Sequence, residues 1–145
     1  MKILAIRLKN LASLAGPFEI DFTAEPLASA GLFAITGPTG AGKSTLLDAL
    51  CLALFGAVPR LGDTGQAKMP DADTDISIGD PRTLIRRGTG GGYAEVDFVG
   101  VSGRRYRARW EANRARDKAS GKLQNSRQSL IDLDSDQLLA SQKTE

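Results

Sequence analysis

The chain has 145 residues, with 19 basic and 17 acidic side chains and a formal charge of +2, a length that suits one ordinary core and falls short of two. That charge neither demands nor excludes nucleic acid, because clustering matters more than the sum. A single cysteine excludes an internal disulfide framework, and the absence of histidine removes histidine-based metal sites and Ser-His-Asp relays from these residues.

In chain order, Leu4, Ile6 and Leu8 alternate with Ala5, Arg7 and Lys9, and Phe18, Ile20 and Phe22 alternate with Glu19 and Asp21. Two half-buried strands joined by a turn near Gly16-Pro17 are expected. The continuous apolar run Leu32 to Ile35 reads as a strand covered on both faces, as in a parallel sheet. Next comes Gly37-Pro38-Thr39-Gly40-Ala41-Gly42-Lys43-Ser44, a complete G-x-x-x-x-G-K-[ST] phosphate-binding loop, followed by Thr45. Its glycines let successive N–H groups converge on phosphate oxygens at the start of a helix. Lys43 reaches the outer phosphates and the Ser44 hydroxyl is placed to ligate Mg²⁺. A bound nucleoside triphosphate is the expectation. Leu46, Leu47, Leu50, Cys51 and Leu54 read as the apolar stripe of that helix, with Cys51 a small core residue, and Gly56 and Pro59 stop it.

Residues 57–80 are rich in Gly, Pro and Asp without periodicity and read as a long surface loop. Asp71, Asp73, Asp75 and Asp80 lack the offsets of a calcium loop and read as solvated. From Tyr93 the pattern is antiparallel. A three-residue loop Val101-Ser102-Gly103, with Gly103 left-handed, pairs Gly100 with Arg104. Phe98 then faces Tyr106, Val96 faces Ala108 and Ala94 faces Trp110, while Asp97 faces Arg107 and Glu95 faces Arg109 on the other side. Ser129 to Leu133 and Leu138 to Ala140 extend the sheet. Arg104, Arg105, Arg114 and Arg116 are left without partners in this register and are the candidates for phosphate-backbone contact with DNA. The long apolar stretches are broken by Lys43, Ser44 and Asp48, so neither a membrane span nor a signal peptide is read, and a cytoplasmic location is expected.

Three phrases carry a family resemblance: the opening Met1 to Asn10, Leu32 to Gly42, and Lys43-Ser-Thr-Leu-Leu-Asp-Ala-Leu-Cys-Leu-Ala-Leu-Phe55. With Asn113-Arg114-Ala115-Arg116, they resemble the N-terminus of the SbcC family, SMC-like ATPase subunits of double-strand-break nucleases. The resemblance implies an α/β fold, a P-loop NTPase partial lobe of the ABC/SMC type with a mixed sheet and an antiparallel β subdomain. The chain would divide into strands, loop and helix (1–56), a loop (57–80) and the antiparallel part (81–145). It implies ATP and Mg²⁺ as cofactors, held by Gly37 to Thr45 with Lys43 as the catalytic cation and Ser44 as the metal ligand. The implied partners are an SbcD-like metallo-nuclease, double-stranded DNA ends, a second copy in an ATP-sandwiched homodimer, and the C-terminal lobe of a longer parent chain. The implied setting is the nucleoid-associated cytoplasm.

The family's Cys-x-x-Cys hook, Ser-Gly-Gly signature, heptads and Asp-Glu strand end are not in these residues. Leu130-Ile131-Asp132 lacks the glutamate such a strand end needs, and Gln137 and Gln142 are out of context for the family's glutamine loop. Ala12 stands where some relatives carry a polar or basic residue near the nucleotide. The expectation is therefore a fragment that binds nucleotide and hardly hydrolyses it. Its unpaired sheet edges and partly uncovered core would favour self-association. Two other readings use the same loop: an ABC-transporter-type ATPase, and a nucleotide-gated dimerisation module without its own turnover.

Overall fold

The computed structural model describes residues 1–62, 67–71 and 74–143. Among these residues eight strands and one α-helix follow in order: β1 (Lys2–Lys9), β2 (Phe18–Asp21), α1 (Lys43–Phe55), β3 (Lys68–Asp71), β4 (Thr74–Ser77), β5 (Gly91–Val99), β6 (Arg105–Asn113), β7 (Arg127–Asp132) and β8 (Gln137–Lys143). Six of the strands form one sheet in the order β2-β1-β5-β6-β7-β8, and β3 and β4 form a separate two-stranded sheet. Every pairing among these strands is antiparallel.

Alternation decides the two faces of the large sheet. Leu8, Ala94 and Trp110 lie side by side across β1, β5 and β6, as do Ile6, Val96 and Ala108. All six are buried, and α1 packs across these three strands with Ala49, Leu52 and Ala53 inward. Fully burying a side chain the size of Leu8 or Leu52 contributes roughly 1.5–3 kcal/mol, so this layer carries most of the hydrophobic driving force. On the other face charges alternate in sign. Arg107 donates to Asp97 at 2.7 and 2.8 Å, Arg109 to Glu95 at 3.0 Å, and Arg7 of β1 to Glu95 at 3.1 Å and Asp97 at 2.9 Å. Arg109 also lies 4.1 Å from the Tyr93 ring centroid, a cation–π contact.

The hairpin register expected from the sequence is the register observed, pair for pair from Ala94–Trp110 to Phe98–Tyr106. The Gly100 N–H donates to the Arg104 carbonyl at 2.9 Å, and Gly103 has φ +80. The two N-terminal strands form where alternation places them, β7 overlaps the expected alternating segment 129–133, and β8 extends to both sides of the expected short apolar segment 138–140.

Three expectations need correction. Residues 32–35 form no strand, and Leu32 is 93% exposed. A strand needs a neighbour to hydrogen-bond along its edge, and none of the described strands pairs with this segment. The fully buried stripe of α1 is Thr45, Asp48, Ala49, Leu52 and Ala53; of the expected stripe, Leu46, Leu50 and Cys51 are half-buried against the core, Leu54 is half-buried and Leu47 is 59% exposed. A helix apolar nearly all round has no unique inward face in its own sequence. The segment read as loop from 57 to 80 contains a 3₁₀ turn at Pro59–Leu61 and the β3–β4 hairpin. Of its aspartates, Asp71 pairs with Arg114 and Asp80 with Arg82, while Asp73 lies outside the described residues.

Candidate nucleotide site

The glycine-rich loop enters α1 directly. Gly42 is the residue before the helix, with φ +92, and Gly40 has φ +83, conformations in which an L side chain is strained. Gly42 is constrained twice over, because a Cβ there would come within 2.7–3.0 Å of the Leu14 side chain. The turn between β1 and β2 is thus packed against the loop. No side chain caps α1 and no acidic residue occupies its first turn, so its first N–H groups and the positive end of its dipole face the loop unopposed.

Lys43 arches back over this loop. Its Nζ donates to the carbonyls of Gly37 at 2.7 Å and Pro38 at 2.8 Å. An ammonium has three donors, so one is left beyond these two. Ser44 is exposed at the helix start, whereas Thr45 is 5% exposed and turned into the core. The loop residues Gly37 to Ser44 are contiguous and exposed or half-exposed. An anion cradled here would meet main-chain donors, one ammonium and one hydroxyl.

Behind the loop, Asp48 is 4% exposed and is held by Arg60, whose Nε lies 2.8 Å from both carboxylate oxygens. This pair fastens the 3₁₀ turn at Pro59–Leu61 to the helix that carries Lys43. The side chain of Arg60 is 49% exposed, so the attraction is screened on one side and the buried carboxylate bears most of the desolvation. A lone carboxylate inside an apolar helix was the sequence signal for this pair. Arg7, which completes the charge ladder on the outer face, gave only an ordinary alternating polar position.

The four arginines proposed as unpartnered are mostly paired. Arg104 reaches Asp132 at 2.5 Å, Arg105 reaches Asp134 at 2.7 Å and Arg114 reaches Asp71 at 2.6 Å; Arg116 has no carboxylate partner among the described residues. The partners come from β7, the β7–β8 turn and β3, which the register of one hairpin cannot bring into view. Arg104 and Arg105 remain exposed, while the Arg114–Asp71 pair is largely buried. The structure therefore divides the four, and does not gather them into one free patch.

Residues 5–144 match the family described as AAA domain. The chain belongs to the AAA domain family. Among curated proteins, this AAA domain is 69% identical over 144 residues to the SbcC component of the nuclease SbcCD from Pseudomonas aeruginosa, covering 99% of this chain and 12% of that protein. It is 56% identical over 144 residues to the same-named protein of Rhodobacter capsulatus, covering 98% and 12%. Over 62 residues it is 44% identical to the Probable DNA double-strand break repair Rad50 ATPase of Aquifex aeolicus, covering 43% and 6%. The AAA domain thus spans about 12% of the length of the first two relatives. It is an α/β P-loop NTPase domain whose described strands all pair antiparallel. No helix among the described residues is long and apolar enough to cross a membrane.

Proposed function

We propose that this chain is the ATP-binding N-terminal lobe of an SbcC-like DNA-repair ATPase that couples nucleotide binding and hydrolysis to DNA-end processing by a partner nuclease. The observation that carries the reading is the Gly37–Ser44 loop. Positive-φ glycines stand at an uncapped helix start, and Lys43 is folded over carbonyls of the same loop. The names of the near-full-chain relatives, components of a nuclease, favour this reading over a transporter ATPase.

On this reading Gly37 to Thr45 cradle ATP with main-chain N–H groups, Lys43 exchanges its carbonyl partners for phosphate oxygens, and Ser44 turns its hydroxyl toward Mg²⁺. Bound Mg²⁺ supplies neutralisation of the phosphate charge. Residues 1–56 carry the cradle and residues 81–145 the antiparallel part of the lobe. The assembly is completed in the cytoplasm by a C-terminal lobe, a second copy across the nucleotide and an SbcD-like metallo-nuclease. Double-stranded DNA ends are its substrate, with Arg104, Arg105 and Arg116 offering phosphate contacts and Arg114 least available. By the family resemblance the residues that position a hydrolytic water are supplied by other parts of the assembly, so turnover by this chain alone is very low.

The test is binding of a fluorescent ATP analogue with and without Mg²⁺, in the wild type and in Lys43→Ala. Affinity should fall markedly in the variant, and Mg²⁺ should strengthen wild-type binding. Equal affinity in the two proteins would mean the pocket is misassigned. Stimulation of the full-length protein's ATPase by linear DNA separates the repair reading from the transporter reading.

A further inference from the structure

Helix α1 carries two charged side chains, Lys43 at its start and Asp48 further along; every other residue from Ser44 to Phe55 is neutral. Lys43 is engaged with the loop carbonyls of Gly37 and Pro38, so it does not answer the carboxylate. Asp48 stands four places after Ser44, which puts the two on neighbouring turns of one helix face, their Cβ atoms about 5–6 Å apart. A bare carboxylate there would oppose the positive end of the helix dipole, where a phosphate group would sit. At 4% exposure it has little water to screen it.

The chain answers with Arg60. Gly56 ends α1 with φ +66, its N–H donating to the Leu52 carbonyl at 2.9 Å. Val58, 7% exposed, then turns the chain back into the core cluster that holds Ala49 and Leu52. The 3₁₀ turn closes with Leu61 N–H on the Val58 carbonyl and Gly62 N–H on the Pro59 carbonyl, both at 3.1 Å. It delivers the Arg60 guanidinium edge-on to the carboxylate: Nε lies 2.8 Å from both Asp48 oxygens and Nη2 2.6 Å from one of them. Among the described residues Arg60 is the cation that pairs with Asp48. Packing alone does not call for this pair, because a buried ion pair seldom outdoes an apolar replacement of similar volume.

We propose that Arg60 is a positioning residue of the nucleotide site: acting through Asp48 and without touching the ligand, it neutralises the one negative charge in α1 and preserves the positive potential at the phosphate loop. The proposal rests on the nucleotide reading of Gly37–Ser44.

The measurement is binding of a fluorescent ATP analogue with Mg²⁺ to the full-length protein, with melting temperature followed in parallel. Arg60→Gln should weaken binding about three- to tenfold, the effect of one uncompensated charge roughly 10 Å from the phosphates. Arg60→Lys keeps the charge and loses the fork, so it should melt lower yet bind within about twofold of the wild type. Asp48→Asn combined with Arg60→Gln removes both charges and should return affinity to within about twofold of the wild type, although its melting temperature stays reduced. Asp48→Asn alone should bind as tightly as the wild type or more tightly. A role confined to holding the turn would make affinity follow melting temperature through all four variants, and that pattern would overturn the proposal. Wild-type affinity in Arg60→Gln would do the same. If Arg60→Gln does not fold, Arg60→Lys and Asp48→Asn decide the matter alone: weakened binding in a normally melting Asp48→Asn overturns it. Lys43→Ala keeps the two readings apart, because undiminished ATP binding there removes the P-loop assignment itself, whereas failure of the Arg60 proposal leaves the Lys43→Ala loss in place.

Discussion

At Gly42 two demands meet on one residue, a left-handed backbone and room for the Leu14 side chain. Alanine satisfies neither. Gly42→Ala should cost about 2 kcal/mol or more, from the backbone strain together with the overlap, read as a lower melting temperature and weaker ATP-analogue binding. Adding Leu14→Ala should relieve the overlap and leave the strain, so the double variant should recover part of the loss. No recovery would mean that Leu14 does not set the loop's position. The motif made Gly42 legible in the sequence for its backbone. Its contact with Leu14 was not legible, because Leu14 looks like any apolar turn residue until β1 and β2 are paired. Arg86 was equally silent, since its side-chain partners are main-chain carbonyls of Ala12 and Ser13, far away along the chain.

The β5–β6 hairpin is the element the sequence specified best, and the reason is redundancy. A glycine at the left-handed turn position, three apolar pairs and two opposite-charge pairs all require one register. The run 32–35 shows the opposite case, because its state depends on neighbours and not on its own pattern. The charge ladder the hairpin builds makes its stability sensitive to acid. Burial pushes the Asp97 carboxyl up, but hydrogen bonds from Arg107 and Arg7 outweigh it and hold the group below the ordinary carboxylate range. A carboxylate depressed in the folded state stabilises fully above its unfolded pKa of about 3.9, and that contribution is lost as pH falls from there through the lower folded value. Thermal melts should therefore drop from about pH 4 downward, and Asp97→Asn should be less stable at pH 7 with a shallower acid limb. An unchanged acid limb in the variant would place the sensitivity in another carboxylate.

Across the whole molecule, one side of α1 is packed on the sheet and the other is open. An apolar groove of about 440 Å³ runs along it, lined among others by Ile3, Phe22, Leu27, Phe33, Leu47 and Leu50. Leu47 is 59% exposed and Phe55 74%, a concentration of uncovered apolar surface that isolated monomers rarely carry. The chain by itself should self-associate at micromolar concentrations in sedimentation velocity and bind a hydrophobic dye. Leu47→Glu should weaken both severalfold while changing stability by no more than about 0.5 kcal/mol, as expected of an exposed position. A monodisperse wild type that binds no dye would mean the groove closes on itself in solution.

The sheet order also bears on how the protein is made. β1 lies between β2 and β5, and Ile6 finds its neighbour Val96 only some ninety positions later. At translation speeds of about 5–20 residues per second, that strand waits roughly 5–20 s for its second partner to leave the ribosome. During this interval its hydrogen-bonding edge and its isoleucine and leucine side chains are exposed to other nascent chains. Slowed elongation between β2 and β5 would lengthen this period of greatest risk.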